Sequence, residues 1–122
     1  MPTRIMLVED RADFRRLMTT LLNRQVDLEV VAQAGSLAEA RHRAVALSFD
    51  VAVLDLVLPD GNGADLIGDL HAANPGVAVL ILSASLDHKN LERAKAAGAD
   101  EILDKLASST EVVDAIRRLG SG

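Results

Sequence analysis

Val51-Ala52-Val53-Leu54-Asp55 is the stretch on which the fold turns: four apolar residues in succession, then a carboxylate. A strand with one wet face alternates apolar and polar side chains, whereas an unbroken apolar run suits a parallel strand covered on both faces. Ile5-Met6-Leu7-Val8 has the same character, as does Val77-Ala78-Val79-Leu80-Ile81-Leu82. Residues 28–32 and 101–104 are two further strand candidates.

Between these runs the apolar period changes to that of a helix. Phe14, Leu17, Met18, Leu21 and Leu22 follow the i, i+3, i+4, i+7, i+8 spacing of one buried stripe. Leu37, Ala40, Ala44 and Leu47 form a second stripe, with Ser36 and Glu39 spaced as a capping box ahead of it. A third helix follows Gly63, carries Leu66, Ile67 and Leu70, and stops near Asn74-Pro75-Gly76. A fourth, over about 87–97, has a thin stripe of Leu91 and Ala94 and closes at Gly98. In the fifth, Ser108 and Glu111 form another capping box before Val112, Val113, Ile116 and Leu119. Five strands alternating with five helices predict one α/β domain: a five-stranded parallel sheet with right-handed crossovers and helices on both faces. A chain of 122 residues suits a single domain, one that buries roughly two-thirds of its unfolded surface.

Composition narrows the function. Net charge is −5, and the arginine pairs Arg15/Arg16, Arg41/Arg43 and Arg117/Arg118 fall on separate segments, so no basic stripe matches a DNA backbone. Phe14 and Phe49 are the only aromatics, too few for stacking along single-stranded nucleic acid. The absence of cysteine excludes disulfides, thiolate metal sites and thiol nucleophiles, and fits a reducing compartment. No apolar run reaches the ~18 residues of a membrane span, and Met1-Pro2-Thr3-Arg4 leads straight into a strand without room for a signal peptide. A soluble cytoplasmic protein is the expectation.

In an open parallel sheet, ligands bind at the carboxyl ends of the strands. Glu9 and Asp10 follow the first strand and Asp55 the third; Ser83 follows the fourth and Lys105 the fifth. Alone, each is more often a turn residue, cap or solvated side chain. Together they bring three carboxylates, a hydroxyl and an ammonium to one edge. Converging carboxylates repel one another unless a cation joins them, and a few oxygen ligands with open positions suit Mg²⁺ better than Ca²⁺. With Lys105 as a compact charge for phosphate, these are the parts for attack by one carboxylate on phosphorus.

The same residues carry a family resemblance. Val8-Glu9-Asp10, Leu54-Asp55-Leu56-Val57-Leu58-Pro59-Asp60-Gly61-Asn62-Gly63, Leu82-Ser83-Ala84-Ser85 and Ala97-Gly98-Ala99-Asp100 leading to Lys105 resemble response-regulator receiver domains of two-component signalling. The likeness spans essentially the whole chain and is strongest to receivers of the LuxR/NarL kind. It implies a flavodoxin-like (βα)5 fold with strand order 2-1-3-4-5. By resemblance Asp55 is the phosphoacceptor. Asp10, Asp55 and the backbone carbonyl of Val57 bind Mg²⁺ directly, and Glu9 acts through water. Ser83 bonds a phosphoryl oxygen on switching, Lys105 pairs with phosphate, and Val57 and Ser85 tune dephosphorylation. The implied partner is a sensor histidine kinase or phosphotransfer protein; a homodimer is compatible, and DNA is reached only through an output domain controlling transcription.

Residues 1–119 are expected to form the receiver and 120–122 a linker or tail, with no output domain following Leu119 in this sequence. Ile102 stands where the family commonly has an aromatic residue, and Leu106 where proline, often cis, commonly follows the lysine; both bear on switching rather than chemistry. The weighed alternatives are a pseudo-receiver acting by protein contact and a haloacid-dehalogenase-type phosphatase. Retention of Glu9, Asp10, Asp55, Ser83 and Lys105 speaks against the first. Val57, where those phosphatases have a second Asp, speaks against the other. A flavin-binding protein would need a phosphate-cradling loop where Glu9-Asp10-Arg11 stands. His42, His71 and His88 are expected on the surface, away from the acidic cluster.

Overall fold

The computed structural model describes residues 1–121. Five parallel strands form one sheet: β1 (Thr3–Val8), β2 (Leu28–Ala34), β3 (Val51–Leu54), β4 (Ala78–Ser83) and β5 (Glu101–Asp104). Their order is β2-β1-β3-β4-β5, the doubly wound arrangement with a switch point between β1 and β3. Four helices cross between them, α1 (Ala12–Asn23), α2 (Leu37–Ala44), α3 (Ile67–Ala73) and α4 (His88–Ala97), and α5 (Ser109–Gly120) follows the last strand.

Strand alternation explains why the runs are apolar throughout. Met6, Val8, Ala52, Leu54, Val79 and Ile81 point to a core shared with Leu37, Ala40, Leu66, Ile67, Leu70 and Ala94 of the α2–α4 side. Their neighbours Ile5, Leu7, Val51, Val53, Leu80 and Leu82 point to the opposite core, closed by Met18 and Leu22 of α1 and by Val112, Val113 and Ile116 of α5. β1, β3 and β4 are therefore apolar on both faces.

The structure departs from expectation in several places. β2 runs on to Ala34, and β4 is shifted by one so that Ser83 is its last residue. Leu17 is 67% exposed, which narrows the α1 stripe to Met18 and Leu22 with Phe14 and Leu21 at its margin. Ser36 does cap α2 by accepting from Glu39 N–H, but the Glu39 carboxylate accepts from Gly35 N–H, so the box is not reciprocal. That of Ser108 and Glu111 is. α5 passes Leu119 and includes Gly120, which sits against Thr3, while Ser121 N–H continues the ladder to Arg117; Gly122, the last residue of the expected linker or tail, lies outside the described residues. A small antiparallel hairpin, Val57–Leu58 with Gly61–Asn62, and a 3-10 turn over Gly63–Leu66 stand between β3 and α3, where periodicity gave no sign of either. The peptide bond between Lys105 and Leu106 is trans.

Candidate phosphoryl-transfer site

The ladder continues one residue past three strands and fixes the bases of the functional side chains. Glu9 N–H donates to Ala34 O (2.9 Å), Asp55 N–H to Val8 O (3.0 Å) and Lys105 N–H to Ser83 O (3.1 Å). Glu9, Asp55 and Lys105 therefore leave the same edge of the sheet from anchored backbone, beside Ser83 at the end of β4.

Asp55 is 5% exposed and engaged on both oxygens. Its Oδ1 accepts from Ser83 Oγ at 2.7 Å and from Val57 N–H at 3.2 Å; its Oδ2 lies 2.8 Å from Lys105 Nζ. Lys105 also reaches Glu9 Oε1 at 2.5 Å. Glu9, 2% exposed, accepts from Arg11 N–H on Oε2, and Arg15 Nη1 donates to its backbone carbonyl at 2.6 Å. Asp10 is exposed at the rim. The side chains of Asp10, Asp55, Ser83 and Lys105, with Val57 and Ser85, line an open cavity of about 290 Å³.

Burial holds the Glu9 carboxyl above the usual carboxylate range, against the opposing pull of Lys105 and of Arg11 N–H. For Lys105 burial disfavours the charge, but hydrogen bonds to Asp55 and Glu9 outweigh it and raise the ammonium above its ordinary value. The ammonium is held between the carboxyl groups of Glu9 and Asp55.

One carboxylate oxygen each from Glu9, Asp10 and Asp55 lies within 4.8 Å of the others. The three carboxylates converge with Lys105 as the one ammonium among them, and the donor set is all oxygen. Both features fit a hard divalent cation.

Gly63, the last residue of the motif around Asp55, is explained by close approach. A Cβ there would lie 2.0 Å from the Asp55 carbonyl oxygen, and Gly63 N–H donates to Leu56 O at 2.8 Å. Only glycine lets the chain fold back under Asp55. Asp60, from the same motif, caps a distant helix: its carboxylate accepts from Leu37 N–H (2.8 Å) and Ala38 N–H (3.0 Å) at the start of α2.

The five expected side chains, Glu9, Asp10, Asp55, Ser83 and Lys105, thus meet at one edge, and Val57 lies beside them. His42 and His88 are exposed, His71 is half-buried, and none joins the cluster. Three participants were not foreseen. Arg15 holds the Glu9 backbone; Asn90 of α4 donates to Ser85 O at 2.9 Å; and Phe14 faces Lys105. All three contacts join separate elements, and only the position of Arg15, within the first helix and close after Glu9-Asp10, offered a sequence cue.

A family model described as the response regulator receiver domain matches residues 5–117. The chain belongs to the response-regulator receiver family. This receiver is 39% identical over 119 residues to the DNA-binding transcriptional activator DevR/DosR of Mycobacterium tuberculosis, an alignment covering 98% of this chain and 55% of that protein. It is 30% identical to the response regulator protein VraR of Staphylococcus aureus, covering all of this chain and 58% of that one. The receiver thus spans somewhat over half the length of these relatives. Among solved structures, the signal receiver domain of the putative response regulator NarL from M. tuberculosis superposes with a TM-score of 0.91 at 27% identity, covering 99% of this chain and 98% of that one. The fold and the acidic pocket are those of a signalling receiver of two-component systems, a family phosphorylated by histidine kinases. Among the described residues no helix is long and apolar enough to cross a membrane.

Proposed function

We propose that this receiver takes a phosphoryl group on the Asp55 carboxylate from the phosphohistidine of a sensor kinase or phosphotransfer protein. The observation that carries the reading is Asp55 itself: a nearly buried carboxylate held between a hydroxyl at 2.7 Å and an ammonium at 2.8 Å, with two further carboxylates beside it. An Asp55 oxygen forms the new bond to phosphorus; the bond from phosphorus to the imidazole nitrogen breaks, and its electron pair stays with the imidazole. Asp10, Asp55 and the Val57 carbonyl would hold Mg²⁺, with Glu9 acting through water. Bound there, the ion would neutralise the carboxylates and offset the charge of the incoming phosphoryl oxygens.

Lys105 already sits on Asp55 Oδ2 and is suited to pair with a phosphoryl oxygen. Ser83 donates to Oδ1 and can transfer that hydrogen bond to the phosphoryl group, which is the step that reports phosphorylation to the rest of the fold. Val57 and Ser85, at the cavity wall, are positioned to tune access of hydrolytic water. Coverage of 55% of the DNA-binding activator DevR/DosR supports an output through a further domain, and a cytoplasmic setting fits the partner class.

Acetyl phosphate with Mg²⁺ provides the test. Mass spectrometry should find one acid-labile acyl phosphate, at Asp55, and none on Asp55→Asn. Stoichiometric labelling that persists in that variant would overturn the assignment.

A further inference from the structure

Phe49 is buried in the core, but Phe14, the other aromatic residue, is half-buried on α1 and faces the site. Lys105 Nζ lies 4.8 Å from the centre of its ring, within the range of attraction between a cation and a π-face. We propose that Phe14 is a positioning residue for the phosphoryl transfer proposed above, on which this inference rests: its ring holds the Lys105 ammonium against Asp55.

The ammonium meets Glu9 at 2.5 Å and Asp55 at 2.8 Å, with the ring as a third, apolar neighbour. Backbone contact alone does not give this placement. The hydrogen bond from Lys105 N–H to Ser83 O fixes the main chain but leaves four side-chain torsions free. The next residue does not brace the loop either, since Leu106 is 93% exposed. Phe14 is well placed to supply the restraint. It shares with Met18, Leu82, Ala107 and Val112 the wall of a cavity of about 210 Å³ that Lys105 also lines.

The chemistry favours a ring over a carboxylate or an alkyl wall. A third carboxylate would compete with Asp55 for the ammonium, and an aliphatic wall would desolvate the charge with no compensation. A π-face attracts the cation without a fixed hydrogen-bond direction. The ammonium can therefore exchange a carboxylate oxygen for a phosphoryl oxygen without leaving its place.

The test uses the full chain, acetyl phosphate and Mg²⁺. Phe14→Leu should form the Asp55 acyl phosphate about threefold to tenfold more slowly, and Phe14→Tyr, which keeps the π-face, should recover most of that rate. In the unmodified protein the Lys105 Hε protons should resonate upfield of ordinary lysine through the ring current, a displacement that Phe14→Leu removes. That spectrum decides the matter even if Phe14→Leu fails to fold by circular dichroism. Ordinary Lys105 shifts in the unmodified chain, an undiminished rate in Phe14→Leu, or equal slowing by Leu and Tyr would each overturn the proposal. Labelling that persists in Asp55→Asn would instead remove the reading beneath it, so the two failures are distinct.

Discussion

Glu9 and Asp10 are neighbours in sequence with opposite surroundings, and that contrast separates their roles. Glu9 is buried, paired with Lys105 and tied to Arg11 N–H, while Asp10 stands exposed at the rim with a carboxylate oxygen close to those of Glu9 and Asp55. Of these two, the exposed Asp10 can turn an oxygen to an ion without breaking a protein contact, whereas Glu9 would first have to give up Lys105, so direct ligation suits Asp10 and a role through water suits Glu9. Calorimetric Mg²⁺ titration should therefore rank Asp10→Asn as the more damaging change. Glu9→Gln should lose about tenfold in affinity, the scale of outer-shell substitutions, and Asp10→Asn clearly more. Equal losses would show the two roles to be wrongly divided. The identity of these residues was legible from their place after the first strand, because strand ends at a switch point collect ligands. Their different burial was not, since it comes from Lys105 and Arg15 approaching from other elements.

At the scale of elements, α2 is held by two caps, one local and one remote. Ser36 accepts from Glu39 N–H, and Asp60 accepts from Leu37 and Ala38 N–H across the hairpin. These amides hold the Asp60 carboxyl below the usual carboxylate range. A depressed folded value means that the contribution to stability is complete above the unfolded value of about 3.8 and fades as pH falls through the folded one. Asp60→Ala should thus lower the melting temperature by a few degrees, by a constant amount from neutral pH down to mildly acidic conditions. Below about pH 3.8 the two melting curves should converge; a gap that stays unchanged in acid would mean the carboxylate charge contributes nothing. The Ser36 cap was readable because its partner is three residues away, and the strands and helices were readable because burial imprints periods of 2 and 3.6. The hairpin was not, because two-residue strands are too short to show a period. Nor was the reach of Asp60 to α2, which depends on the fold having formed.

At the scale of the whole molecule, the question is how an event at Asp55 reaches a surface. Ser83 Oγ joins two groups: it donates to Asp55 Oδ1 and accepts from Ser85 N–H at 3.2 Å. Ser85 O in turn accepts from Asn90 Nδ2, and Asn90 N–H donates to Asp87 Oδ1, so the loop over 83–87 is tied to the first turn of α4. α4 is loosely seated, with Ala94 its one buried residue and Leu91 half-buried. A Ser83 hydroxyl that turns to a phosphoryl oxygen must change its contact with Ser85, and a thinly packed helix offers little resistance to following. Ile102 on β5 is a poor alternative route. It is half-buried, β-branched and stiff at χ1, with no ring to swing between buried and exposed positions. Hydrogen exchange with and without beryllofluoride, a phosphoryl mimic, separates the two routes. Protection should change across residues 83–97 and stay nearly flat across 101–103. Asn90→Ala should diminish the change in α4 by removing the side-chain tie to Ser85, while the Asp87 cap stays in place. A large change centred on Ile102, or one in α4 undiminished by Asn90→Ala, would show that the signal leaves by another path.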